Sequence, residues 1–396
     1  MKFIVLDVDL LRKRQMMTQI PNVFTPKEQF AAALGRMSSL QPGEKAFASE
    51  RTSDLHSPDF WQAHIPYLQE ERLDALLQWN WQHYLGSPTP SDLNEEISQL
   101  QETLEQLPSS FRKGIQKRIK SEWLRSITRD KLFLTLHLSF QKAGIPLILF
   151  KGMSYLKTLY PEQGLRPMWD IDFFVHPKDR EKARTLLAEL GYQHRGLYHD
   201  DTDEYIHPKN KLGIDLHYRM NMPLSHRIHT DELLACSIAL EPHGIRIFPP
   251  AEQFLFHLIH QLKHQLDVKM NTFVELRELF IQNREQWTRV QRVAEKWGLQ
   301  KALYLGCSLL NQLFPGLVPS HFYREHPALK AVGYILRRIP TEYDYKQRIY
   351  RVPLRIAWLW LLTDKWQDKQ HLTLWLTRFY ILRTARIFKE RIAPRT

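Results

Sequence analysis

At 396 residues the chain is longer than one hydrophobic core usually supports, so two or three packed units are expected. Its two cysteines, Cys236 and Cys307, lie far apart and outside any metal-ligand spacing, which excludes a disulfide framework and a Cys-based zinc site and suits a reducing cytoplasm. The net charge of +12 is local, because the last 76 residues hold sixteen Lys and Arg against six Asp and Glu.

Scarce glycine, 15 residues in all, together with abundant Leu, Gln, Glu, Arg and Lys favours long helices around a smaller sheet. The opening Met1 to Asp9 has too short an apolar run, interrupted by two acids, for a secretory signal. Asp7-Val8-Asp9 superficially resembles the start of a haloacid-dehalogenase-type phosphatase. The Thr or Val and the glycine that follow in that family are replaced here by Leu10, Leu11 and a basic run. From Thr25 to about Lys142 apolar residues recur at helical spacing, with breaks at Pro88, Pro90 and Pro108 and capping candidates Ser91 and Ser109. The last helix of this unit has Ile119, Trp123, Ile127, Leu132, Leu136 and Phe140 as its apolar series. It ends near Gly144, and Pro146 forces an extended chain.

The central stretch alternates element types. A strand over 146–150 is followed by a short helix after Gly152, a loop through Pro161 and Gly164, and a strand containing Asp170-Ile171-Asp172. A helix over 178–190 comes next, then strands over 192–197, 204–207 and 212–219, the last two joined by a turn at Pro208-Lys209-Asn210-Lys211. Two more strands, 238–241 and 245–248, flank Pro242-His243-Gly244, and Pro249-Pro250 with Glu252 opens a long helical tail. The expected fold is α/β of the α+β kind, a small mixed sheet at 144–250 between mainly helical regions at 1–143 and 251–396.

Side chains alternate along a strand, so Asp170 and Asp172 share one face while Ile171, Phe173 and Val175 take the other. Two carboxylates that close repel, and a hard divalent cation such as Mg²⁺, or Mn²⁺ in its place, relieves them. Asp215, flanked by Ile214 and Leu216, completes a carboxylate triad from a neighbouring strand. Gly152 lets backbone approach a phosphate, Ser154 offers a hydroxyl, and Lys151 and Arg166 supply positive charge for triphosphate oxygens. These features point to transfer of a nucleotidyl group from ATP or another NTP. The alternative for Lys151 and Arg166 is a structural ion-pair cluster that offsets the desolvation of the acids.

In the tail, the longest uncharged stretch, 302–323, is broken by Asn311, Gln312, Pro315 and Pro319, so no membrane-spanning helix is expected. His257, His260 and His264 fall near one helical face, without the Glu of a metalloprotease motif, and are read as packing or cleft-lining. The end of the chain is both basic and aromatic. It is read as a helix burying Leu372, Trp375, Phe379 and Leu382, or as a contact for a membrane surface, nucleic acid or partner protein.

The run Gly144-Ile-Pro-Leu-Ile-Leu-Phe-Lys-Gly152, Leu159-Tyr160-Pro161, Arg166 with Asp170-Ile-Asp172 and Val175, Leu190-Gly191-Tyr192, and Ile214-Asp215-Leu216-His217 together resemble the largely uncharacterised nucleotidyltransferase-like family of bacterial proteins, within the polymerase-β-type superfamily. The resemblance spans roughly residues 110 to 280. It implies a nucleotidyltransferase core, Mg²⁺-dependent transfer of a nucleoside monophosphate to a hydroxyl on a sugar, small molecule or protein, and Asp170, Asp172 and Asp215 as the metal-binding triad. That superfamily prefers Gly-Gly or Gly-Ser before the acids, whereas Gly152-Met153 stands here, 18 residues ahead of Asp170. Glu275 stands where the family often has an Asp after its tail histidines. The competing class is a non-catalytic nucleotide-binding or interaction protein, cytoplasmic or at a membrane periphery.

Overall fold

The computed structural model describes residues 66–77, 79, 109–199, 202–220, 227–264, 269–322, 357–374 and 376–377. The expectations for 1–65, and for Phe379 and Leu382, lie outside these residues, as does the side chain of Trp375.

A long helix, α1 (Ser109–Lys142), leads into the sheet. It stops where Ile145 N–H donates to Phe140 O and Gly144 N–H to Gln141 O, with Gly144 at φ +66°. This closing turn needs a left-handed residue, which glycine supplies without a Cβ clash. The expected apolar series is only partly the buried one. Leu136 and Phe140 are buried, but Trp123 is 46% exposed, and Glu122, Ser126 and Arg129 turn inward instead. The reason is polar: Arg129 Nη1 donates to Met168 O at 2.8 Å and its Nη2 pairs with Glu122, so α1 fixes the loop ahead of the Asp-x-Asp strand.

The chain then forms β1 (Ile148–Phe150), α2 (Gly152–Thr158), β2 (Asp170–Phe174), α3 (Arg180–Glu189), β3 (Gln193–His199), β4 (Thr202–Ile206) and β5 (Gly213–His217). After α4 (Thr230–Cys236), a helix the sequence pattern did not reveal, come β6 (Ile238–Leu240) and β7 (Ile245–Ile247). The seven strands form one mixed sheet in the order β3-β4-β5-β2-β1-β7-β6. β2 runs antiparallel to β1 and parallel to β5.

The two faces of the sheet are covered differently. Ile171, Phe173, Ile214 and Leu216 are at most 1% exposed, and Phe133 of α1 stacks on Phe173 with ring centroids 5.7 Å apart. On the same face α3 is pinned by Asp203 of β4, fully buried, which accepts from Arg180 Nη2 and Tyr218 Oη at 2.8 and 2.7 Å. On the opposite face Phe150 and Phe174 pack edge-on against Phe248, which meets Phe256 of α5 (Pro250–Lys263).

Helices α6 (Met270–Asn283), α7 (Trp287–Trp297) and α8 (Gln300–Leu313) continue from α5, and their apolar side chains join the core beneath the sheet. The segment 357–377 docks on this layer: buried Trp358 donates from Nε1 to Leu262 O, and Asp364 accepts from the first N–H groups of α8 at Gln300 and Lys301. Cys236 and Cys307 are free thiols. No helix among the described residues is long and apolar enough to cross a membrane.

Candidate active site

Register between strands assembles the site. In the parallel pair, Asp172 stands opposite Asp215 and Asp170 opposite Gly213. Across the antiparallel β4–β5 pair, Glu204 faces Asp215 and Thr202 faces His217. Directly opposed residues share a face, so Asp172, Asp215 and Glu204 form a row across three strands, with His217 and Thr202 one pleat away. Asp170 is exposed at the start of β2, Asp172 is buried, and Asp215 is half-buried between them and solvent.

Lys151 sits over this row. Its Nζ lies 2.6 Å from Asp172 Oδ1, and 5.0 Å from the centroid of the Phe150 ring. The residue holds a φ of +51°, a left-handed value that a side chain with a Cβ adopts only at a cost of order 1–3 kcal/mol. The junction tolerates it because β1 ends and α2 begins there, with Lys151 O accepting from Tyr155 N–H at 2.9 Å. On the other side of Asp172, His217 Nε2 is 3.1 Å from the same Oδ1, and its Nδ1 is 3.1 Å from Thr202 Oγ1.

The electrostatics divide the acids. Burial opposes ionisation of Asp172, but Lys151 and then His217 outweigh it and hold the carboxyl well below its usual range. For Asp215, burial, reinforced by the charges of Asp172 and Asp170 and only partly offset by Lys151, pushes the carboxyl up to about 7. Asp170 is raised by burial and by Asp172. Burial and the Lys151 charge bring His217 down to about 4, so its ring is neutral at physiological pH. The donor atoms could hold a divalent ion: one oxygen or nitrogen each from Asp172, Asp215 and His217 lie within 4.8 Å of one another. Asp170 is not in this closest set.

Three other expected site residues are placed differently. Arg166 is largely shielded, its side chain 12% exposed, and already paired: its Nε donates to Glu275 Oε1 at 2.7 Å, where Tyr160 Oη also donates at 2.8 Å. That pairing keeps the guanidinium charged despite burial. Gly152 makes room for it, since a Cβ there would lie 2.8 Å from Arg166 Nη1. This glycine permits the close approach of the Arg166 side chain. Ser154 does not reach the cleft; it is fully buried, and its hydroxyl donates to Gln253 Oε1 at 3.3 Å. His257 joins the Glu275 network, with Nε2 2.6 Å from Thr272 O and 3.6 Å from Glu275 Oε2, while His260 packs edge-on to His264.

Sequence reasoning passed over His217 and Glu204 as site residues. The alternation that grouped Asp170 with Asp172 also groups Asp215 with His217, two positions on, so the signal for His217 was present. Glu204 carries no such signal, because its place depends on the register of a hairpin.

The site is thus a row of carboxylates on one face of a seven-stranded mixed sheet, beside a strand-Lys-Gly-helix turn. The chain belongs to the uncharacterised nucleotidyltransferase family, whose model matches residues 91–315. A search of curated proteins found no match.

Two outcomes follow from these pairings. Glu275→Gln leaves the largely shielded Arg166 without its counter-charge and should cost about 3–5 kcal/mol in urea unfolding; a loss below about 1 kcal/mol would show that the pair does not hold this junction. Asp215 binds a proton in the folded state up to pH about 7 but in the unfolded state only to about 4. The folded state therefore binds more protons across that window, and its stability falls as pH rises through it. Asp215→Asn should raise the metal-free Tm by about 2–4 °C at pH 8, with the gain vanishing towards pH 4. A gain independent of pH would contradict the assignment.

Proposed function

We propose that this protein transfers a nucleoside monophosphate from an NTP to a hydroxyl group of a sugar, another small molecule or a protein, with a divalent cation as cofactor. The observation that carries the reading is the opposition of Asp172 and Asp215 on parallel, in-register strands, with Asp170 one pleat nearer solvent. A bound Mg²⁺ or Mn²⁺ would supply charge neutralisation for the carboxylates and for the phosphates of the nucleotide.

Asp172 and Asp215 would hold the ion, and Asp170, exposed at the head of β2, would close the set from the solvent side. Lys151, ion-paired to Asp172, is the cation positioned to meet a triphosphate entering over the same carboxylates. The value of about 7 for Asp215 belongs to the metal-free site; an ion held there would lower it and keep the carboxylate ionised as a ligand. Arg166 contributes by position: with Glu275 it anchors the Lys151-Gly152 turn to α6.

The basic C-terminal region, with its +10 excess, is proposed to meet an anionic partner, and such binding should weaken steeply as salt rises from 50 to 300 mM. A salt-independent affinity would remove that role.

The test of the transfer reaction is equilibrium binding and turnover of each labelled NTP by the full chain, with Mg²⁺ or Mn²⁺, across an acceptor panel. Asp172→Asn should lower metal-dependent nucleotide affinity by about tenfold or more and turnover by about 100-fold or more, since removing a metal carboxylate uncouples ion and phosphate. Wild type and variant that bind NTP alike, with no metal dependence, would overturn the proposal.

A further inference from the structure

The donor atoms that lie closest together here are two carboxylates and an imidazole, not three carboxylates. We propose that His217 is a direct nitrogen ligand, and that the site therefore selects a first-row transition ion such as Mn²⁺ over Mg²⁺. The proposal rests on the carboxylate site put forward above and goes beyond it by naming a ligand and the class of ion it favours.

Three features aim the ring. β5 puts His217 on the same face as Asp215, and its pairing with Phe174 of β2 keeps it one pleat from Asp172. Phe150 packs against the imidazole at a 77° interplanar angle with centroids 4.9 Å apart, which fixes the ring plane. Thr202, buried on β4 and directly opposite His217, has its Oγ1 3.1 Å from Nδ1 and can accept the Nδ1 proton. In the metal-free protein Nε2–H donates to Asp172 Oδ1, 3.1 Å away; an ion taking that proton's place would leave the neutral ring protonated at Nδ1, with the Nε2 lone pair turned to the ion. A second-row hydrogen bond to the outer nitrogen is the usual means by which a metal-binding histidine is held in one tautomer.

The chemistry of that donor set discriminates between ions. Mg²⁺ favours oxygen ligands and retains its waters, whereas imidazole suits Fe²⁺, Ni²⁺, Cu²⁺ and Zn²⁺, a first-row series of which Mn²⁺ is the weakest-binding member. Two carboxylates and one imidazole leave open positions for phosphate oxygens.

The probe is Mn²⁺ added to the full-length protein, followed by continuous-wave EPR for affinity and pulsed EPR for nitrogen hyperfine coupling. Bound Mn²⁺ should show coupling to a directly ligated imidazole nitrogen, and His217→Gln should abolish the coupling. The same substitution should weaken Mn²⁺ binding by about 10–100-fold while changing Mg²⁺ affinity, read by competition, by less than about threefold. Thr202→Val keeps the ring but removes the Nδ1 acceptor; it should retain the coupling and weaken Mn²⁺ by about tenfold, which guards against a misfolded His217 variant. Mn²⁺ that binds in an Asp172-dependent manner without nitrogen coupling overturns the His217 assignment and leaves the carboxylate site standing. Absence of any Asp172-dependent binding overturns both.

Discussion

Five consecutive residue pairs, from Asp170 with Gly213 to Phe174 with His217, join β2 to β5, and the closeness of Asp172, Asp215 and His217 descends from that register. A slip of one residue would turn Asp172 into the core and Ile171 into the cleft, because side chains alternate with a period of two. Ile171, Phe173, Ile214 and Leu216, all buried on the face where Phe133 of α1 stacks on Phe173, make such a slip costly. Each would exchange an apolar contact for water, at roughly 1.5–3 kcal/mol per side chain. The apolar face of the sheet thus fixes the positions of the acids on its other face.

Those acids sit in an unbalanced field. Asp172 is matched by Lys151 and His217, whereas Asp215, one strand away, meets mainly other carboxylates and a desolvating wall. The metal-free protein therefore holds one settled carboxylate and one unsettled one side by side, an arrangement a divalent cation relieves. The Arg166–Glu275 pair is a separate device, made of the fully buried Glu275, Tyr160 and His257, that ties the loop before β2 to α5 and α6. Its guanidinium packs against Gly152, at the turn where β1 passes into α2.

The parts legible from sequence were those governed by local rules. The Asp-x-Asp strand, the Lys-Gly turn into a helix, the strand bearing Asp215 and the glycine stop at Gly144 all follow from period-two alternation or turn chemistry. What escaped was set by partners far along the chain. Arg166 looked like a free cation because its partner, Glu275, lies 109 residues away, and Ser154 looked like a phosphate donor because Gln253, 99 residues on, was not visible beside it. Trp123 was assigned to the apolar stripe of α1 on spacing alone, yet the buried line passes through Glu122, Ser126 and Arg129, since the loop they face presents the Met168 carbonyl. Helix α4, only seven residues long, is too short for periodicity to register.

The central claim is that Asp172 and Asp215 together hold a divalent ion at the nucleotide. An anomalous-difference map from crystals grown with Mn²⁺ and a non-hydrolysable NTP analogue tests it most directly. The account predicts a peak between the two carboxylates, within coordination distance of a phosphate oxygen. A nucleotide bound with no peak there, or an ion held elsewhere, would contradict it.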